Sequence, residues 1–248
     1  SSSAAFSLNP TVGTPVVNTA ADFDQVHAYA STGGGNDLAL IYDSSGNDVY
    51  TATPTTAVID FNATPGVNDP DVMAYGFERV DSHSTNGGND TATLTGSGGA
   101  DLFYGLKSFS YLKADDSSYY NYVSGYDAIT ANAVGLGDYA YLYDSNGNDI
   151  LNASPSSTEF ILNPMTGPTV TNTANAFDRV FSYASAGGTD AANMNGTTGD
   201  DTFTGLNDWG RLTSTGSSAY YNYVRYFDEV FADPGDTDVG NDLLDDQG

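Results

Sequence analysis

Short runs of alternating apolar and polar residues, separated by clusters of Gly, Ser, Thr, Asn and Asp, make up this chain. Residues 26–30, 38–42, 49–53 and 57–61 are four such runs near its start. Alternation with a period of two places one face of a strand in a core and the other in solvent. Because turn-forming residues interrupt every run within about ten residues, the pattern predicts an all-β protein of short strands with almost no helix.

A turn of the form Gly-x-Asp-x-apolar recurs along the chain. Its clearest copies are residues 42–50 and 143–151, which lie 101 residues apart, and weaker copies lie at 96–103 and 196–203. Each of these four follows another acidic turn about 11 residues earlier, and one more copy lies near the end. Asp138 follows Gly137 directly and departs from the pattern. The eight aspartates that fit it are Asp37, Asp48, Asp90, Asp101, Asp149, Asp190, Asp201 and Asp242.

An aromatic residue followed by an acid opens each of five larger repeats, near residues 23, 77, 126, 177 and 227. The repeats are about 50 residues long and alternate between two forms, so the complete period is 101 residues. One form contains a Pro-bearing segment, at 54–62 and 155–163; the other has a Tyr-rich segment, at 119–123 and 220–224. Repetition at a fixed period predicts a single repeat domain over residues 1–248, with partial repeats at both ends.

Each repeat divides into lengths of 24 or 25 residues, roughly what one coil of a parallel β-helix needs for three short strands. We therefore expect a parallel β-helix, or β-solenoid, of about ten coils. A five-bladed β-propeller, with about four strands per blade, is the alternative. In the solenoid, a ladder of stacked rings is expected from the opening aromatics Phe23, Phe77, Tyr126, Phe177 and Phe227. Gly46 and Gly147 are expected to have left-handed backbone.

Charge narrows the possible partners. The chain has 32 acidic and 6 basic residues, a net charge of −26. Only Glu78, Glu159 and Glu229 are Glu, so 29 acids are Asp, which favours turns and binds hard cations. This charge argues against nucleic acid and anionic lipid as partners. No apolar stretch is long enough for a membrane span, no signal peptide is recognised at the start, and there is no cysteine.

The Gly-x-Asp turns resemble the nonapeptide repeats of RTX-type calcium-binding β-rolls, in which Gly-Gly-x-Gly-x-Asp turns hold Ca²⁺ between successive coils. The resemblance covers only the turns, which come in pairs 11 residues apart rather than every nine. It implies Ca²⁺ as a ligand of the eight aspartates named above. The overall pattern is also similar to the tandem repeats of large secreted bacterial surface proteins.

Catalytic chemistry has few candidates. His27 lies one residue after an opening motif, where other repeats have Thr130, Phe181 and Phe231, and His83 lies three residues after one, so both are interpreted as structural strand residues. No Ser-His-Asp, zinc or phosphate-loop pattern stands out. The Tyr-rich segments fit either a structural ladder or a platform on which sugars stack.

These observations lead us to expect a non-catalytic, calcium-stabilised structural protein at an extracellular location or on a cell surface. Its copies are expected to join head to tail into a filament or surface matrix. One alternative is an adhesin-type module that binds extracellular polysaccharide through its tyrosines. The other is a β-helix enzyme that acts on polysaccharide.

Overall fold

The structure, a computed structural model, describes residues 3–8, 16–21, 25–30, 36–63, 70–214, 219–233 and 243–246. The regular structure in these ranges is entirely β-strand, which confirms the predicted all-β class. The strands are β1 (Ser3–Leu8), β2 (Val16–Ala21), β3 (Val26–Tyr29), β4 (Leu38–Tyr42), β5 (Val49–Ala52), β6 (Thr56–Asp60), β7 (Val72–Tyr75), β8 (Arg79–His83), β9 (Thr91–Thr95), β10 (Asp101–Gly105), β11 (Phe109–Ala114), β12 (Tyr120–Ser124), β13 (Ala128–Asn132), β14 (Tyr139–Tyr143), β15 (Ile150–Ala153), β16 (Ser157–Leu162), β17 (Val170–Asn175), β18 (Arg179–Tyr183), β19 (Ala191–Asn195), β20 (Asp201–Leu206), β21 (Trp209–Ser214), β22 (Tyr220–Arg225), β23 (Glu229–Asp233) and β24 (Leu243–Asp246).

These strands form two large sheets. Sheet 1 has 13 strands in the order β2-β1-β4-β8-β12-β11-β10-β14-β18-β22-β21-β20-β24. Sheet 2 has 11 strands in the order β23-β19-β15-β16-β17-β13-β9-β5-β6-β7-β3. In both sheets the strand order follows the order of the repeats along the chain.

Each complete repeat contributes five strands. The repeat that opens at Phe77 places β8 in sheet 1, β9 in sheet 2 and the antiparallel group β10 to β12 back in sheet 1. The repeat that opens at Tyr126 starts in sheet 2 and adds its antiparallel group, β15 to β17, there. The chain crosses between the sheets three times per repeat, an odd number, so successive repeats exchange sheets. This exchange explains why two forms of repeat alternate in the sequence.

The sheets are mixed, which corrects the expected parallel coil of three strands. Strands of successive repeats pair in parallel, as β8 does with β4, and β8 also pairs in parallel with β12 of its own repeat. Only residues 53–55 separate β5 from β6, however, and residues 106–108 separate β10 from β11. A parallel connection needs a crossover of a dozen or more residues, so these loops return the chain antiparallel. The described strands do not form the five separate sheets that a five-bladed propeller would contain.

The core lies between the two sheets and is filled from alternate positions of each strand. In β14, Ala140 and Leu142 are fully buried, whereas the residues between and beside them are half-buried. The two sheets are also joined by polar contacts, because the Ser110 hydroxyl in β11 donates to Asn172 Oδ1 in β17 at 2.7 Å. The period-two pattern of the sequence therefore identifies the buried face correctly.

The opening aromatics anchor this core. Phe77, Tyr126, Phe177 and Phe227 are all buried, and Phe23 lies outside the described residues. Tyr126, Phe177 and Phe227 contact rings of the antiparallel groups, at centroid distances of 6.0, 6.0 and 5.6 Å. A longer run of stacked rings occurs instead on the outer face of sheet 1, as described below.

The backbone just before each described opening aromatic is left-handed. The four residues there have φ between 60° and 79°, and they are Gly76, Gly125, Ala176 and Tyr226. Left-handed backbone turns the chain sharply from one sheet toward the other. Glycine is favoured there because it lacks a β-carbon, and two of the four repeats use it.

Gly46 and Gly147 are required for a reason that differs from the prediction. Neither has positive φ. A β-carbon at Gly46 would overlap the side chain of Asn62, and one at Gly147 would overlap the backbone of Asn163. The glycines that do have left-handed backbone lie against Gly46 and Gly147 and belong to the following repeat; one of them, Gly188, has φ of 122°. Close approach of stacked turns, rather than backbone handedness, excludes a side chain at Gly46 and Gly147.

No helix among the described residues has the length and apolar character needed to cross a membrane.

Candidate metal centre and carboxylate network

The second acidic turn of each repeat holds an aspartate that binds the backbone of its own turn. These second-turn aspartates are Asp48, Asp101, Asp149 and Asp201. For Asp48, the backbone N–H of Ser44 donates to Oδ2 at 2.6 Å and the Ser44 hydroxyl donates to Oδ1 at 2.9 Å. The other three receive the equivalent bonds from Ser97, Ser145 and Thr197. The carboxylate satisfies donors that would otherwise be buried without an acceptor.

The first acidic turn of each repeat holds an aspartate, and these first-turn aspartates are Asp37, Asp90, Asp138 and Asp190. The last three accept hydrogen bonds from the backbone of the preceding repeat. The N–H of Asp48 donates to Asp90 Oδ1 at 2.8 Å, and the N–H of Asp149 donates to Asp190 Oδ1 at 2.8 Å. The N–H of Asp101 donates to Asp138 Oδ1 at 2.7 Å. Asp138 therefore has the same role as its equivalents, although its turn departs from Gly-x-Asp.

The acids of the opening motifs complete the network. The N–H groups of Asp90, Asp138 and Asp190 donate to the carboxylates of Asp127, Asp178 and Asp228 at 2.9, 3.0 and 2.8 Å. In the same way the Asp37 N–H donates to Glu78 Oε2 at 2.8 Å. We call this series of N–H to carboxylate bonds the carboxylate relay. Each of its links joins the backbone of one repeat to an acid of the next.

Three buried carboxylates converge at one point of the relay. Oxygen atoms of Asp43, Asp48 and Asp90 lie within 4.8 Å of one another. Within the described part of the chain, this is the one group of three or more His, Cys, Asp or Glu side chains with metal-ligand spacing. Asp43 also accepts the N–H of Asn86 at 3.0 Å, which holds its carboxylate in place.

Burial raises the pKa of three turn aspartates, Asp90, Asp138 and Asp190. It raises the pKa of Asp90, and the neighbouring charges of Asp48 and Asp43 raise it further, against the lowering effect of the Ser84 hydroxyl bond. Burial also raises the pKa of Asp138. For Asp190, burial and the charges of nearby acids raise the pKa to about 6. Removing a carboxylate from water disfavours its charged form, and adjacent negative charges add to this cost.

The residues of the Asp43 group fit a hard divalent cation. All of their ligand atoms are carboxylate oxygens, which Ca²⁺ prefers. Asp48 and Asp90 already accept hydrogen bonds, but each carboxylate offers about four lone-pair sites, so lone pairs remain to bind an ion. A cation there would also neutralise the repulsion that raises the pKa of Asp90.

The structure brings together two of the eight predicted ligands, Asp48 and Asp90. Asp37, Asp101, Asp149, Asp190 and Asp201 lie in the relay or its turns, outside a group with metal-ligand spacing. Asp242 lies outside the described residues. The sequence interpretation missed Asp43, although its place in the repeated Tyr-Asp-Ser phrase was a usable signal. It also missed the relay acceptors, whose signal was the acid after each opening aromatic.

The two histidines contact aromatic rings on the surface. His83 stacks on Tyr42 at 5.3 Å, and its Nδ1 lies 2.8 Å from the Ser124 hydroxyl. His27 Nε2 lies 3.0 Å from Gln25 Oε1, and its ring stacks near Tyr75. These contacts agree with the structural interpretation of both positions.

A row of stacked rings crosses the outer face of sheet 1. The consecutive centroid distances are 5.1, 4.8, 4.8 and 5.3 Å, with ring planes within 22° of parallel. We call it the ring ladder; its members are Tyr120, Tyr111, Tyr104, Tyr141 and Phe181. Because each ring covers the face of its neighbour, the ladder presents ring edges to solvent.

The Tyr-rich segments therefore divide between two environments. Tyr119 and Tyr220 are buried, and their hydroxyls donate to Asp101 Oδ1 and Asp201 Oδ1 at 2.8 and 3.0 Å. The tyrosines that follow them, Tyr120, Tyr122, Tyr221 and Tyr223, are half-buried on the outer face, and asparagines take the buried positions between them. Burial raises the pKa of Tyr111 in the ladder to about 12, so its hydroxyl stays protonated at neutral pH.

Comparisons with protein-family models, with curated proteins and with solved structures found no match for this chain.

Proposed function

We propose that this chain is a non-catalytic, extracellular structural protein whose repeats stack as a two-sheet β-solenoid. The observation that carries the proposal is the carboxylate relay, because each link joins one repeat to the next. A buried hydrogen bond to a charged acceptor contributes about 1.5–3 kcal/mol. The most specific polar contacts of the molecule thus serve to hold repeats together.

The ring ladder supports the same proposal from the outside of the molecule. It links strands of three repeats, from Tyr120 to Phe181, through ring contacts between neighbouring strands. Cross-strand aromatic pairs contribute roughly 0.2–1 kcal/mol each. An adhesin that grips neutral sugars by stacking needs open ring faces, and within the ladder these faces are covered. The ladder therefore favours a structural role over that alternative.

Self-assembly into a filament or surface matrix is part of the proposal. β23 forms an edge of sheet 2, where Val230 and Phe231 are 36% and 57% exposed. In earlier repeats Val80 and Val180, which are equivalent to Val230, are only 4% and 5% exposed. An exposed edge strand with apolar side chains is a template for pairing with a second copy.

Electron microscopy and sedimentation of the intact chain test this assembly. We expect filaments or ordered arrays from the wild type and a marked loss of them in Phe231→Glu. Leu136→Glu is the matched control, since Leu136 is 81% exposed in the loop between β13 and β14, away from either sheet edge. Monodisperse monomers of the wild type at high concentration, with calcium present, would overturn self-assembly.

Calcium is the proposed stabilising ion, with Asp43, Asp48 and Asp90 as its ligands. An extracellular location agrees with this, because extracellular calcium modules function with weak sites. Calcium should raise the melting temperature of the wild type, and Asp43→Asn should reduce that increase. Asp144→Asn is the control, since Asp144 is the repeat equivalent of Asp43 but lies outside the group. An equal calcium effect in all three proteins would contradict this site.

A further inference from the structure

The few basic residues of this acidic chain are gathered on one side of the molecule. The strands of sheet 1 carry five of the six at positions that alternate with buried ones: Arg79, Lys113, Arg179, Arg211 and Arg225. The sixth, Lys107, lies in the loop between β10 and β11 of the same sheet. Against a net charge of −26, this placement makes the outer face of sheet 1 unlike the rest of the chain.

Two of these arginines are already neutralised. Arg79 forms an ion pair with Asp81 at 2.8 Å, and Arg225 forms one with Asp208 at 3.0 Å. No carboxylate of the described residues pairs with Arg179 or Arg211. In a chain with 32 acids, two arginines without an ion-pair partner on the same face call for an explanation.

The unpaired arginines converge on one tyrosine. The guanidinium of Arg179 lies 5.1 Å from the centre of the Tyr221 ring, and that of Arg211 lies 6.0 Å from it. Arg211 donates one Nη2 hydrogen bond, to Thr204 Oγ1 at 3.2 Å, while its buried Nε has no acceptor in the described structure. A buried donor without an acceptor is costly. Neither guanidinium is neutralised by a carboxylate of the described residues, so an oxyanion bound beside Tyr221 would supply the missing negative charge.

The ring ladder also changes at this place. Phe181 is tilted by 46° against Tyr221 and by 51° against Tyr223, whereas the ladder rings stack nearly parallel. Phe181 is itself stacked on Tyr141, and Tyr223 on Trp209, whereas the ring of Tyr221 has the two guanidiniums over it and no parallel ring of the described residues beside it. A ligand here would contact the guanidiniums and the phenol edge rather than an open ring face.

We propose that Arg179, Tyr221 and Arg211 form a binding site for a carboxylated polysaccharide that lies along the outer face of sheet 1. A planar carboxylate matches the fork of N–H donors that a guanidinium presents. The phenol edges of the ring ladder continue from this site and can hydrogen-bond to the hydroxyls of adjoining sugars. A second copy of the chain is the alternative occupant, and the experiment below separates the two. This proposal does not depend on self-assembly of the chain.

Titration of the intact chain with polygalacturonate oligosaccharides, in chelator and at moderate ionic strength, tests the proposal. The double variant Arg179→Gln/Arg211→Gln should weaken binding by at least about tenfold, since it removes two charge-assisted contacts. Arg79→Gln is the matched control: it removes a cation from the same face, but one that is paired with Asp81, and affinity should change less than about threefold. Dextran, a neutral polysaccharide, should bind much more weakly than polygalacturonate.

Three results would overturn the proposal. The first is the absence of polygalacturonate binding by the wild type, and the second is equal affinity for dextran. The third is a double variant that keeps its affinity but loses self-association, which would assign the arginines to contacts between copies. Equal melting temperatures of the variants and the wild type establish that any lost binding is not caused by unfolding.

Discussion

Asp190→Asn is the substitution that tests the electrostatics of the carboxylate relay most directly. Asp190 is 2% exposed, and its Oδ1 accepts the N–H of Asp149. Its own N–H donates to Asp228, so the relay surrounds it with carboxylates. Asparagine keeps an oxygen acceptor for the Asp149 N–H and removes the charge. The substitution thus separates the role of Asp190 as an acceptor from the cost of its charge.

The sign of the effect follows from the direction of the pKa shift. Burial raises the pKa of Asp190 from 3.8 to about 6, so between these values the folded protein holds a proton that the unfolded chain has lost. The free energy of unfolding therefore increases as pH falls from about 7 to about 4. A shift of this size corresponds to at most about 3 kcal/mol, since each pKa unit is about 1.4 kcal/mol. Coupling to the neighbouring acids reduces the expected gain in Asp190→Asn at pH 7 to about 1 kcal/mol.

Urea unfolding of wild type and variant between pH 4.5 and 7.5, in chelator, measures both quantities. The wild type should become more stable toward pH 5, and Asp190→Asn should be more stable than the wild type at pH 7 with a weaker pH dependence. Asp115→Asn is the control, because it removes the same charge from an exposed residue. Equal stabilisation by both substitutions would assign the effect to the overall charge of −26 and refute the local explanation.

Two further predictions concern contacts between repeats. Gly188→Ala should lower the free energy of unfolding by about 1–3 kcal/mol or more, because φ is 122° and a β-carbon would overlap the carbonyl of Gly147. Gly98→Ala is the control and should change the free energy of unfolding little, since no atom lies near its added β-carbon. Equal urea midpoints of the two variants would contradict this explanation. Phe227→Tyr should raise the free energy of unfolding by about 0.5–1.5 kcal/mol. In the earlier repeat Ser82 Oγ lies 2.7 Å from Tyr126 OH, whereas Ser182 Oγ, its equivalent in the repeat that precedes Phe227, is buried without a partner in the described structure. That gain should disappear in a Ser182→Ala background, and its persistence there would show that the new hydroxyl does not reach Ser182.

The sequence supported the strand content and the repeat period, but not the pairing of the strands. Alternation of apolar and polar residues identifies the buried face of a strand without identifying its neighbour. The antiparallel groups depend on loop length, and residues 53–55 and 106–108 are too few for any other return. Pro54 and Ser108 in these short loops were visible in the sequence as turn-forming residues between apolar runs. The exchange of sheets between repeats follows from the number of crossings, which requires the strand pairing to be known.

The candidate site was predicted only where a single turn contains the signal. Asp48 and Asp90 stand in Gly-x-Asp turns, so the motif alone selects them. Asp43 belongs with them because stacking brings residue 90 beside residues 43 and 48, a separation that no local pattern encodes. The relay acceptors were missed for the same reason, since the link from Asp90 to Asp127 joins residues 37 positions apart.

The excess of aspartate over glutamate has a structural cause that precedes any ion. In the relay, a carboxylate must reach a backbone N–H on the adjacent turn, and the short side chain of aspartate spans that distance with few rotamers to restrict. Among the described links the exception is Glu78, which accepts the N–H of Asp37 with its longer arm. Backbone capping therefore accounts for most turn aspartates, and the proposed calcium concerns only the place where three carboxylates converge. Chelation should accordingly destabilise the contacts of Asp43, Asp48 and Asp90 while leaving the rest of the carboxylate relay intact.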